Sequence, residues 1–178
     1  MIHQRPDALV AVPPGFASPR HDRPSLVQTI AGKASRFLAR NVRTRPLVMR
    51  GARPLVTFTF DDVPLSACTA GARILEQYGI RATYYVSGGG CGLTSPCGPL
   101  ASAEDLRTVF RRGHELASHT FSHPAVSRIP LADLGRDLDR NETFLKSLHG
   151  NVAVRNFAYP YGDFSFRTKR YLATRFDS

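Results

Sequence analysis

The run Leu55-Val56-Thr57-Phe58-Thr59-Phe60, closed by Asp61-Asp62, constrains the fold more than any other stretch of the chain. Uninterrupted β-branched and aromatic residues predict a strand buried on both faces, as in a parallel sheet. Two adjacent carboxylates at the lip of such a strand repel each other and lose hydration, so they are tolerable there mainly when a cation or a proton shares the site. Within a strand, Asp61 and Asp62 would point to opposite faces. They serve one site only if the chain turns after Phe60. Val63-Pro64 supports that turn, because proline disfavours helix at its predecessor and cannot continue a central ladder.

The matching ligands are His119 and His123, in Ser118-His119-Thr120-Phe121-Ser122-His123-Pro124. Two imidazoles four positions apart converge on one ion from a helical turn or a tight loop, and with one carboxylate they leave coordination positions open for water. Taken singly, an Asp pair also reads as a solvated loop and a His pair as a surface turn. Together, each after its own apolar segment, they favour a metal site. A third apolar segment, Phe157-Ala158-Tyr159-Pro160-Tyr161-Gly162, ends in a turn as well.

In chain order, Thr59-Phe60-Asp61-Asp62, His119-Thr120-Phe121-Ser122-His123 and Phe157-Ala158-Tyr159-Pro160-Tyr161-Gly162 resemble the first three motifs of the polysaccharide deacetylase family, also known as the NodB-homology domain or carbohydrate esterase family 4. The resemblance runs from about Leu55 to the C-terminus. It implies an α/β fold, a distorted (β/α) barrel of which about the first four units are expected here. It implies metal-dependent hydrolysis of acetamide groups on N-acetylglucosamine-containing poly- or oligosaccharides. Asp62, His119 and His123 would hold a divalent ion, zinc foremost; Asp61 would be the general base, and Tyr161 would offer its backbone N–H to the oxyanion.

Two departures accompany the resemblance. Many members carry an arginine just before the Pro-Tyr-Gly turn, where Ala158 and Tyr159 stand here, with Arg155 nearby. The family's later motifs, an Asp with an apolar wall and then a Leu-x-His whose imidazole acts as general acid, have no counterpart before Ser178, and His149 precedes the third motif. The expectation is a truncated member with ligands and base but no acid. The competing expectation is a catalytically impaired metal-binding or interaction fragment.

The 178 residues, 42% of them hydrophobic, suffice for one domain with a real core. The net charge of +10 is unevenly placed: residues 1–53 hold 10 Lys and Arg against 2 acids, and residues 54–178 hold 14 against 12. This divides the chain into a basic N-terminal arm, 1–53, and a nearly neutral catalytic region, 54–178. No run of about 18 apolar residues predicts a spanning helix. Met1 to Asp7 lack the basic start and apolar core of a secretory signal, so the expected location is the cytoplasm. No nucleic-acid-reading motif accompanies the basic charge, and nucleic acid is not an expected partner. Residues 1–24, with five prolines, read as a mobile arm. Leu26 to Val42 predicts an amphipathic helix with Leu26, Ile30, Ala34, Phe37 and Leu38 roughly on one face and Lys33, Arg36, Arg40 and Arg43 elsewhere. Its first reading is packing against the outside of the domain; its second is contact with a membrane surface.

Further along, Ala67 to Tyr78 predicts a helix with Ser66 as its cap and Gly79 as its stop. Ile80 to Val86 reads as a strand. Gly88-Gly89-Gly90 lacks the lysine and hydroxyl of a phosphate loop and reads as a flexible loop. A capping start at Ser102 opens a helix that Gly113 ends. Glu115 to Ser118 is a short strand, Leu131 to Leu148 the longest helix, Val154 to Ala158 a fourth strand and Phe166 to Phe176 a further helix. His114 and His149 read as structural. Cys91 and Cys97 could close a small loop in an oxidising compartment; without an export signal the expectation is three free thiols, Cys68 included. Strand and helix thus alternate four times, and every turn with functional residues follows a strand, as in parallel α/β sheets and barrels.

Overall fold

The computed structural model describes residues 26–44 and 54–178; the arm over 1–24 lies outside them. In chain order the elements are α1 (Leu26–Asn41), β1 (Thr59–Asp61), a π-helical turn (Ala67–Gly71) running into α2 (Ala72–Gln77), β2 (Thr83–Val86), the small strands β3 (Thr94–Ser95) and β4 (Gly98–Pro99), α3 (Ala103–Arg111), β5 (Glu115–Ser118), α4 (Leu131–His149) and α5 (Phe166–Leu172). β1, β2 and β5 form a parallel sheet in the order β1-β2-β5, and β3 pairs with β4 antiparallel. The register sets Phe60 beside Tyr84 and Tyr84 beside Leu116, so the three strands end together with Asp61, Val86 and Ser118 at one edge.

Tyr84 is the centre of the sheet. Its ring lies 5.1 Å from that of Phe60, and its hydroxyl donates to Ala67 O at 3.0 Å. Around it Ala72, Leu75, Val86, Leu106, Val109 and Leu145 form the main core, and a second cluster of Val126, Leu134, Leu138, Phe157 and Leu172 joins α4 to α5. α3 begins with a full capping box, Ser102 accepting from the Asp105 N–H and Asp105 accepting from the Ser102 N–H.

Several expectations need correction. The first strand is not buried on both faces: its ladder begins only at Thr59, and Leu55 and Val56 are 72% and 77% exposed. β1 is an edge strand whose sole described neighbour is β2, so the apolar run before it has nothing to bury against. The expected strand over Val154–Ala158 is a single bridge, Ser118 to Phe157, with Ser118 N–H donating to Asn156 O and Ala158 N–H to Ser118 O. The C-terminal segment takes its outer side, where Asp177 N–H donates to Arg155 O and Phe157 N–H to Ser178 O. The strand at Ile80 begins only at Thr83, and α5 gives way to tight turns after Leu172.

Ser66 does not cap: its backbone is already helical, because the turn opens just after Pro64, where Ala67 N–H donates to Pro64 O. Gly88–Gly90 is no flexible loop but a 3₁₀ turn packed beneath α4. A Cβ on Gly88 would stand 2.7 Å from Phe144 Cδ1, and one on Gly89 2.8 Å from Phe121 O, so the absence of side chains is a packing requirement. The three cysteines are free thiols as expected. Burial pushes Cys68 up to about 12 and Cys91 up to about 11, so neither is a thiolate nucleophile at neutral pH.

Helix α4 carries one polar residue, Asn141, in the buried stripe Leu134, Leu138, Asn141, Leu145, Leu148. Gly88 N–H donates to its Oδ1 at 2.9 Å, and its Nδ2 donates to Val86 O at 2.9 Å and Ser118 Oγ at 3.1 Å. One side chain therefore ties α4 to the ends of β2 and β5. Asn141→Leu is expected to cost about 3 kcal/mol, because it strands the buried Gly88 N–H and removes the hydrogen bonds to Val86 O and Ser118 Oγ. A urea midpoint shifted by less than about 1 kcal/mol equivalent would contradict this role.

Candidate metal centre

Three turns meet at the edge where β1, β2 and β5 end. The first is Asp62-Val63, directly after Asp61, with φ of 57° and 48°. The second runs from His119 to His123, with Thr120 at 66° and His123 at 54°; the third is Pro160–Gly162, with Tyr161 at 59°. Among the described residues these five are the non-glycine positions with left-handed backbone, and all five lie in these turns. Each costs of order 1–3 kcal/mol and persists only where its surroundings over-determine it, a pattern that concentrates at functional sites.

The surroundings do so here. His119 N–H donates to Val86 O at 3.1 Å, and Ser87 Oγ donates to His119 O at 2.8 Å. Thr120 Oγ1 accepts the His123 N–H at 3.1 Å and itself donates to His119 O. From α4, Asp137 accepts the Phe121 N–H at 2.6 Å, the Ser122 N–H at 3.2 Å and the Ser122 hydroxyl. Asp163, just past the third turn, accepts from Ser127 N–H and Ser127 Oγ, both at 2.9 Å, and so ties that turn to the chain beyond the second.

Asp62 Oδ1 lies 3.0 Å from His123 Nε2 and 3.6 Å from His119 Nε2, and the two Nε2 atoms are 3.2 Å apart. All three donor atoms fall within 4.8 Å of one another. Both imidazoles are buried while Asp62 is half-exposed, so the group opens to solvent on the aspartate side. His119 Nδ1 is 2.9 Å from Ala158 O. A carbonyl only accepts, so Nδ1 carries the hydrogen and the neutral ring turns its Nε2 lone pair toward Asp62 and His123. A backbone-fixed imidazole of this tautomer is how metal-binding histidines are oriented. Two imidazoles and one carboxylate suit a divalent transition ion with open positions. The donor set and its buried convergence fit such an ion.

Asp61 ends β1 beside this group, and its charge bears on His119. The Tyr161 ring meets that of His123 at 4.5 Å between centroids and 66° between planes. Arg155 is engaged elsewhere, with Asp177 at 3.2 Å, and Ala158 serves through its carbonyl. His114 is structural as expected: buried, it accepts the Ala82 N–H at Nδ1 and pairs through Nε2 with Glu76. A cavity of about 160 Å³ lined by Phe157, Tyr159, Lys169, Leu172 and Phe176 includes none of the three converging residues and has no part in their chemistry.

Asp137, Asn141 and Asp163 escaped the reading of the sequence. For the first two a signal existed: polar residues set four apart in a helix whose buried positions, Asn141 apart, are leucines and Gly135. Asp137→Ala is expected to release the His119–His123 turn and weaken ion binding about 10- to 100-fold while the far-UV spectrum stays unchanged. Unchanged affinity by calorimetric titration would remove Asp137 from the site's support.

The hydrogen bond from His123 holds the Asp62 carboxyl below its ordinary value, against the opposing effect of burial. Burial, with the neighbouring His123, holds His119 below the usual 6.5. A histidine depressed in the fold leaves the unfolded chain binding more protons below about 6.5, so stability falls as pH drops through that window. Asp62 stabilises above 3.8, and its contribution disappears only as pH falls through its lowered folded value. In chelator, the urea midpoint should therefore decline as pH falls below about 6.5, and His119→Gln should flatten the decline. An equal slope in that variant would assign the effect elsewhere.

A family model described as polysaccharide deacetylase matches residues 49–175. A chitooligosaccharide deacetylase of Sinorhizobium fredii is 31% identical over 129 residues, which cover 70% of this chain and 54% of that protein. One of a Bradyrhizobium species is 30% identical over 108 residues, covering 60% and 46%. Among solved structures, IcaB from Ammonifex degensii superposes with a TM-score of 0.61 at 26% identity, covering 71% of this chain and 60% of that one. The chain spans about half the length of these curated relatives.

Proposed function

This chain belongs to the polysaccharide deacetylase family, and on that premise we propose that it serves N-deacetylation of an N-acetylglucosamine-containing oligo- or polysaccharide, with Asp62, His119 and His123 holding a divalent ion. The observation that carries the proposal is the convergence of one carboxylate and two imidazoles within 4.8 Å at the C-terminal edge of a parallel sheet. Zinc is the ion we assign first, since a mixed nitrogen and oxygen set with open positions suits it. The names of the two rhizobial relatives support a chitin-type oligosaccharide as substrate.

An ion held there would supply Lewis acidity, acidifying water and polarising an amide carbonyl. The chain's own groups do the rest. The Asp61 carboxylate takes the proton of the attacking water. The buried His119 ring, fixed through Ala158 O, and His123, whose backbone N–H donates to Thr120 Oγ1, keep the ligand face from rearranging as charge develops. The Tyr161 backbone N–H, presented by the strained Pro160–Gly162 turn, donates to the oxyanion of the tetrahedral intermediate. Collapse of that intermediate breaks the C–N bond, and the proton held on Asp61 passes to the leaving nitrogen, so that the products are a free amine and acetate.

The test is acetate release from N-acetylated chitooligosaccharide by the purified chain, after chelation and after reloading with zinc, cobalt, nickel or manganese. Metal-dependent acetate release supports the proposal. A chain that retains its ion and releases no acetate from oligosaccharide overturns it, and release only from small acetamides would reassign the substrate to that class.

A further inference from the structure

Helix α1 docks on the domain by the wrong face for its sequence. At about 100° per residue, Phe37, Ile30, Ala34, Leu38 and Val42 fall on one arc, Ser35 and Ala39 on the next, and Lys33, Arg36 and Arg40 on the remaining one. The expected packing face was the apolar arc. The contact is made by the narrow strip instead: Phe166 N–H donates to Ser35 Oγ at 3.0 Å, Ala39 is buried, and Lys169 Nζ of α5 donates to Ala39 O at 2.6 Å and Val42 O at 3.1 Å. Ile30 and Phe37 are left 60% and 67% exposed, with Leu38 and Val42 exposed beside them. Among the described residues nothing covers this arc. Residues 26–44 carry Lys33, Arg36, Arg40 and Arg43 and not one acid.

We propose that α1 is an interfacial helix that seats the domain on an anionic lipid bilayer. An apolar arc bordered by arginine and lysine, with no carboxylate to be repelled, meets both demands of such a surface: apolar side chains for the acyl boundary and cations for the headgroups. The basic side chains can lie along the boundary with their charged ends in water. A spanning role is excluded for α1: it has 16 residues, and no described helix is long and apolar enough to cross a membrane. A second copy of the chain is the poorer occupant, because it would bring two wholly basic helices side by side with no acid between them. The helix's own attachment strip is already used by α5, so among the described residues the apolar arc and the basic arc are both left uncovered. This surface is independent of the deacetylase reading, and its test does not involve turnover.

Co-sedimentation of the full chain with vesicles decides it. Binding is expected to mixed phosphatidylcholine–phosphatidylglycerol vesicles, weakly to phosphatidylcholine alone, and with affinity falling as salt rises. Phe37→Glu with Leu38→Glu, two exposed positions whose change should leave the thermal midpoint in place, is expected to weaken binding about a hundredfold. Arg36→Gln with Arg40→Gln should keep residual binding and lose most of the salt dependence. Equal binding by the Glu double variant would place the attraction elsewhere in the basic chain and overturn the proposal. So would the absence of binding to anionic vesicles, or a concentration-dependent dimer that this variant abolishes.

Discussion

Asp62→Asn is expected to abolish tight ion binding and bring acetate release down to the level of the chelated chain, a loss of more than about 100-fold, since losing even the partners that orient metal ligands costs about 10–100-fold. Asparagine is the informative replacement. Asp62 sits at φ 57°, a left-handed conformation that asparagine adopts readily and alanine does not, so the variant removes charge without adding backbone strain. The side chain is half-exposed, and its loss opens no cavity. Equilibrium dialysis before and after the substitution, beside a circular dichroism melt, separates a lost ligand from a lost fold. Metal binding undiminished in a folded variant would remove Asp62 from the centre.

Asp61→Asn tests a different role. With the adjacent carboxylate and both imidazoles intact, the ion should remain, while turnover falls about 10²- to 10⁴-fold, the usual worth of a positioned general base. KM for the oligosaccharide should stay near its original value, because the role proposed for Asp61 is on the water and not on the sugar. The pair of variants therefore splits two neighbouring aspartates by readout: one loses the ion, the other keeps it and loses rate. Equal metal loss in both would mean that the two carboxylates act as one ligand group.

Much of this arrangement was legible in the residues. Strand β5 falls on Glu115–Ser118 as expected, the Ser102–Asp105 box opens α3, and α1 and α4 begin where their periodicity begins. Asp62, His119 and His123 stood out because each follows an apolar segment, and the structure brings their donor atoms together. Other features had no local signature. Left-handed backbone at Asp62, Val63, Thr120, His123 and Tyr161 is imposed by tertiary hydrogen bonds on residues that do not advertise it, as a glycine would. Hydrophobic content cannot count neighbours, so Leu55–Phe58 read as a buried strand although β1 has one partner among the described residues. Phe157 likewise looked like part of a ladder, but only one bridge forms before Pro160 turns the chain away. On α1 periodicity found the apolar arc and could not tell that small residues, Ser35 and Ala39, would make the contact.

The central claim is that Asp62, His119 and His123 form one divalent-ion site, and its most direct test is metal content and thermal stability of the purified chain. A single zinc ion per chain, removable by chelator with a fall in the melting temperature, restored on readdition and absent from Asp62→Asn, is the result expected. A chain that melts at the same temperature with and without chelator and takes up no zinc would contradict the claim.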